Sequence, residues 1–171
     1  MRGITPALML SALLVASCGS AAQTSQTVAS PTATPTPKPT PMTPGALIDK
    51  LKTAGLPVGQ VIVFTAETDS NHILGRPHQY TGKATWQDTR VTNGLPWPDI
   101  SDGGSLETFA TNDDLQNRAT YLAAVTKNPM FAEYEYSSTY GLVLLRVSGE
   151  LTPDQAKQYM QAVQAIFPDL K

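Results

Sequence analysis

Apolar positions along the chain change period several times, and each period predicts a different element. Thr43-Pro44 places a capping hydroxyl before a proline, and Leu47, Ile48, Leu51 and Ala54 then share one face until Gly55, so a first helix is predicted there. The β-branched run Val61-Ile62-Val63-Phe64, the partly alternating segment from Lys83 to Arg90, and Ser105 to Ala110 after the Gly103-Gly104 turn read as three strands. Asn112 can cap a second helix carrying Leu115, Ala119, Leu122 and Val125, which runs to about Lys127 and stops before Asn128-Pro129. Glu133-Tyr134-Glu135-Tyr136 alternates, and after a turn at Ser137 to Gly141 the run from Leu142 to Val147 returns as its hairpin partner. Thr152 and Gln155 form a capping box around Pro153, followed by Ala156, Tyr159, Met160, Val163, Ile166 and Phe167 at helical spacing. The order αβββαββα predicts an α+β fold: an antiparallel sheet of about five strands with helices packed on one face, of ferredoxin-like flavour.

The N-terminal segment follows another logic. After Arg2, the stretch from Leu8 to Ala16 is apolar, yet it is too short for a hydrocarbon core that needs about 20 residues and fits a signal segment of about 7 to 15. Val15-Ala16-Ser17-Cys18 resembles the lipobox of bacterial lipoproteins, an aliphatic residue and two small ones before a cysteine. That resemblance implies that 1–17 is a signal peptide, that the Cys18 thiol receives a diacylglycerol, and that its freed amine can be acylated in turn. The protein would then be anchored to the membrane through the lipid on Cys18, on the extracytoplasmic side of a bacterial cell. One acyl chain holds a protein only marginally, whereas two or three hold it durably, at about 0.8 kcal/mol per buried methylene. An ordinary signal peptide with a chance cysteine is the other reading.

Residues 18–44 carry the lipidated position and then a Ser, Thr and Pro-rich stretch whose only charge is Lys38. Such a composition buries no core and acts as a semi-stiff spacer of about 3.1 Å per residue. All aromatic residues lie from Phe64 onward, so 45–171 is expected to be the single α+β domain. It holds 10 of the chain's 12 Lys and Arg and all 14 Asp and Glu, without a basic cluster, which argues against binding nucleic acid. Cys18 is the only cysteine, so the mature chain has neither an internal disulfide nor, once Cys18 is acylated, a thiol nucleophile.

No named catalytic motif is present, so candidate chemistry has to come from loops. The segment 66–82 is long for a strand connection and holds Glu67, Asp69, Asn71, His72, Arg76, His78 and Tyr80. His72 and His78 with Glu67 or Asp69 could ligate a metal or act as acid and base, although the interval between the histidines matches no standard ligand spacing. Otherwise Asp69 and Asn71 make turns and the histidines are exposed. Asp69-Ser70-Asn71 begins like a calcium loop, but Leu74 stands where its glycine belongs and Tyr80 where its glutamate belongs. There is no Gly-x-Ser-x-Gly elbow and no His-Glu-x-x-His pair, and Trp97-Pro98-Asp99 matches a phosphatase loop without that chemistry's thiolate. Glu107, Glu133 and Glu135 could pair as acid and base, or simply stand on a solvated face.

Trp97 lies between Pro96 and Pro98 in a second long loop, 91–104, where rigid flanks suit a recognition residue. Tyr134, Tyr136 and Tyr140 form another aromatic set; packing is the alternative for both. The two loops leave opposite ends of the strand 83–90, about 25 Å apart, and are therefore not expected to share a site. Phe64 to Asp69, Leu74 to Pro77, Gln79 to Thr81 and Gly103 to Glu107 resemble segments of uncharacterised secreted bacterial lipoproteins over residues 45–165. That resemblance brings no activity and points to 67–80 as the place for any shared role. The combined expectation is a non-enzymatic module that binds an envelope protein or a cell-wall component, without cofactor or metal; the alternative is an envelope enzyme or metal-binding protein with its site in 66–82.

Overall fold

The computed structural model describes residues 42–92, 98–128 and 135–168. They fall in a unit spanning Pro39–Lys171. Cys18, the expected signal peptide 1–17, most of the expected linker, Trp97, Glu133 and Tyr134 lie outside the described residues. Among those described, no helix is long and apolar enough to cross a membrane.

The elements follow the expected order: α1 (Pro44–Thr53), β1 (Val58–Val63), β2 (Gly82–Asp88), a 3-10 turn (Ile100–Asp102), β3 (Gly103–Thr108), α2 (Asn112–Val125), β4 (Glu135–Tyr140), β5 (Val143–Ser148) and α3 (Pro153–Ile166). The five strands form one antiparallel sheet in the order β1-β2-β3-β5-β4. β3, α2 and β4 make a crossover whose two strands are split by β5, the motif behind the ferredoxin-like expectation.

Caps decide where the helices begin. Thr43 caps α1 by accepting from the Ala46 N–H, and Thr152 and Gln155 cap α3 reciprocally. At α2 the cap is Thr111 rather than Asn112, because its hydroxyl reaches the Asp114 N–H at 3.2 Å. The β4–β5 hairpin is tighter than the sequence pattern indicates. Ser137 to Tyr140 belong to β4, Tyr140 pairs with Val143, and Gly141 at φ 57° starts a two-residue turn. Polar Ser and Thr side chains imitate a turn in the sequence, but here they occupy an edge strand.

Strand alternation gives the sheet two unlike faces. On one, Ala84, Trp86, Leu106, Val143, Leu145 and Val147 pack beneath Leu47, Ile48 and Leu51 of α1 and Ala156, Tyr159 and Val163 of α3. Tyr136 and Tyr140 are half-buried against this core, which makes them packing residues. Gly104 is required here, since a Cβ would stand 2.5 Å from the Trp86 ring and from the Arg146 carbonyl oxygen. α2 departs from the one-face expectation. Leu115 and Leu122 of α2 cluster with Leu144, Phe109 and Tyr80 on the opposite face. Leu144 and Leu145 are adjacent in β5, so their side chains point to opposite faces and carry the two cores.

Candidate functional site

The α2 face of the sheet carries polar and charged side chains that are nevertheless buried: Lys83, Thr85, Ser105 and Glu107. Burying them requires partners, and the loop between β1 and β2 supplies one. Asp69 is fully buried; its carboxylate accepts from Lys83 Nζ at 3.0 Å, from Tyr80 Oη at 2.7 Å, and from the Ile73 and Leu74 N–H groups at 3.1 and 3.2 Å. Burial pushes this carboxyl upward, but the bonds from Tyr80, Lys83 and Ile73 outweigh it, so it lies far below the ordinary aspartate value. Burial and the Asp69 contact together raise the Tyr80 hydroxyl well above its usual range. Asp69 therefore pins a loop of successive turns to β2, and Lys83 Nζ also lies 4.6 Å from the centre of the Phe64 ring.

The remaining candidates of that loop do not converge. Glu67 is exposed, its carboxyl lowered chiefly by the Thr65 hydroxyl. His72 and His78 both take left-handed backbone, at φ 54° and 61°, and with Arg76 they stand in solvent. His78 Nδ1 lies 3.1 Å from Asp114 Oδ1 of α2. Asn71 donates from Nδ2 to Tyr80 Oη at 3.0 Å. Among the described residues no three His, Cys, Asp or Glu side chains stand close enough to hold a metal ion. The proposed acid, base and ligand set is thus dispersed between a buried pin and exposed turn tips. Turn chemistry accounts for polar residues at these positions.

Two depressions border this loop. One, of about 450 Å³, lies on the sheet and is lined by Phe64, Ser70 and Asn71 on one side, Pro98, Asp99 and Ile100 on the other, and Lys83, Thr85, Ser105 and Arg146. Both long loops reach it, contrary to the expectation from their roots. They leave opposite ends of β2, but both fold over the same face, and Thr85 Oγ1 donates to the Pro98 carbonyl at 3.3 Å. Its cations are already engaged: Arg146 contacts Glu135 through Nε and Nη2, and Lys83 contacts Asp69. Ser105 Oγ is buried and has no hydrogen-bond partner among the described residues.

The second depression, of about 480 Å³, runs between the loop and α2 and is lined by Asn71, Ile73, His78, Gln79, Asn117, Arg118 and Tyr121. Its base is built outward from the sheet. Fully buried Glu107 accepts from Arg118 Nε at 2.9 Å and Nη2 at 2.8 Å, a two-point pairing that fixes the plane of the guanidinium. That guanidinium lies 5.3 Å from the Tyr80 ring centre and 5.7 Å from that of Tyr121. Tyr121 is 59% exposed, one of two large hydrophobic residues so placed among those described. Asn117 and Gln79 make no side-chain hydrogen bond among the described residues, so their amides are available to the groove. Sequence reasoning passed over Asn117, Arg118 and Tyr121. They lie beside the Leu115 and Leu122 stripe, and the available signal was an aromatic residue on the polar side of an amphipathic helix.

Compared with known proteins, the chain matches no family model, no curated protein and no solved structure.

Proposed function

We propose that this chain is a lipid-anchored, non-enzymatic binding module on the outer side of a bacterial membrane, and that it takes its ligand in the groove between the 65–81 loop and α2. One observation carries the binding half of this reading: the groove exposes a tyrosine ring and amides, while the buried ionisable groups around it are committed to internal pairs and the exposed His78 lies against a helix aspartate. Arg118 is held by Glu107, Lys83 and Tyr80 by Asp69, and His78 lies against Asp114. A catalytic site keeps an acid, base or nucleophile free for substrate. A binding site needs instead a rigid amphipathic anchor and orienting polar groups, which Tyr121, Asn117 and Gln79 supply.

The location half rests on the apolar run before Cys18 and on the Val15-Ala16-Ser17-Cys18 pattern. A tethered module works at high local concentration, so a small groove suffices for a ligand in the same envelope. Mass spectrometry of native protein is expected to find Cys18 as the first residue, carrying diacylglycerol, and Cys18→Ala is expected to leave the membrane fraction. An unmodified thiol in mature protein would remove the anchor from the proposal. For the groove, a photo-crosslinking residue at position 121 should capture envelope material that the same residue at exposed Lys157, on α3, does not. Equal capture at both positions would sink the groove as the binding site.

A further inference from the structure

From the chemistry of this groove we infer that its ligand is a neutral oligosaccharide, an inference that rests on the binding reading above and narrows it to a class. The lining has one formally charged residue, Arg118, and Glu107 neutralises it through two hydrogen bonds. An anion would therefore meet a cation already paired, and a cation would meet no carboxylate in the lining. What remains is amide chemistry, from Gln79 and Asn117 and from the Asn71 side-chain carbonyl oxygen, the Asn71 Nδ2 already donating to Tyr80 Oη. The Gln79 and Asn117 amides each present a donor and an acceptor in one plane, which matches hydroxyl groups that also donate and accept. A sugar ring adds a C–H face that is apolar, and Tyr121, 59% exposed, offers it the aromatic face not covered by the Arg118 guanidinium, which lies over the ring at 5.7 Å from its centre.

Size and extent favour an oligomer over a single ring. Tyr121 also lines a second, shallower depression of about 410 Å³ with Ala124, Val125 and Asn128, so the ring stands on the ridge between two hollows. A chain of sugar units can straddle that ridge. A peptide fits less well, because among the described residues Ile73 and Tyr121 are the only hydrophobic ones lining the groove and no strand residue lies in that lining to pair with an extended backbone. At the rim, His78 takes left-handed backbone and its Nδ1 lies 3.1 Å from Asp114 Oδ1 at the first turn of α2. This contact joins the loop wall of the groove to its helix wall.

The test uses the full chain in a detergent that carries no sugar, titrated with tri-N-acetylchitotriose, with maltotriose and with a neutral tripeptide, and followed by saturation-transfer NMR and calorimetry. At least one trisaccharide is expected to bind saturably. Tyr121→Ala and Asn117→Ala should each weaken that binding by about tenfold or more, the loss of one well-placed contact, whereas Tyr121→Phe should keep it within about threefold because the ring face is retained. Circular dichroism melting of the Tyr121→Ala protein should match the parent, since the ring is exposed. Failure of both trisaccharides, binding unaffected by Tyr121→Ala, or preference for the tripeptide would each overturn the inference. Crosslinking from position 121 separates the two levels: adducts in the envelope with no sugar binding leave a binding groove of another class, whereas no specific adduct removes the groove itself.

Discussion

Asp69 illustrates how one residue can look like chemistry in the sequence and serve as construction in the fold. An aspartate between two histidines and a glutamate has the composition of an acid–base site, but its carboxylate is fully buried and accepts four hydrogen bonds. Asp69→Asn should leave Lys83 with a neutral partner in a site where its side chain is only 9% exposed, and is expected to lower stability by about 3 kcal/mol, as for other broken buried pairs. Urea unfolding at pH 7 measures this. The pH dependence has a definite sign. Asp69 and Asp88 both titrate lower when folded, so their stabilisation is complete above the unfolded aspartate value near about 3.9 and is lost as pH falls below it. The parent should therefore lose stability steeply below about pH 4, and Asp69→Asn should do so with a shallower slope. An identical slope in both proteins would remove Asp69 from the acid transition.

Elements are held by a few contacts that alter the whole element when changed. Gly104 lets the Trp86 indole lie against β3, and Gly104→Ala would drive a methyl group into that ring and into the Arg146 carbonyl, where backbone cannot yield. The expected cost is about 3 kcal/mol, at the upper end for overpacking, with loss of near-ultraviolet dichroism from the displaced Trp86. Thr152→Ala removes one half of the α3 capping box and should cost about 1 kcal/mol while leaving Trp86 in place. A thermal melt that ranks these two in the reverse order would contradict the packing described. The helices and the caps of α1 and α3 were legible because the apolar spacing and the Thr-Pro starts are local, whereas the α2 cap falls one residue earlier than expected, at Thr111. The β4–β5 turn was not, because Ser and Thr serve equally in turns and on a strand edge.

At the scale of the whole domain, the sheet separates a large core from a small one. α1 and α3 share the main cluster, whereas α2 is seated by Leu115 and Leu122 and by the Arg118–Glu107 pair. Smaller burial means a lower free energy of local opening, so backbone amides of α2 should exchange hydrogen faster than those of α3. Glu107→Gln should accelerate α2 selectively, because it strips charge from the contact that ties that helix to β3. Uniform acceleration across all three helices would mean that α2 opens only with the whole domain. The proposed ligand, bridging α2 and the loop, should slow exchange in α2, since binding to the closed form alone stabilises it.

The sequence by itself determined the element order, the helix starts at Thr43 and Thr152, and the α+β class, because each depends on side-chain periodicity and on hydrogen bonds spanning a few residues. It also carries the apolar stretch from Leu8 to Ala16 and the pattern ending at Cys18, on which the proposed anchor rests. Only the tertiary structure decided that α2 lies across the sheet from its sister helices, that two loops with distant roots border one cleft, and that Asp69 is buried while Tyr121 is presented. The physical reason is that exposure is a property of what packs on a residue from elsewhere in the chain. An aspartate 14 positions from its lysine, and a glutamate 11 positions from its arginine, acquire their roles only when the sheet brings them together.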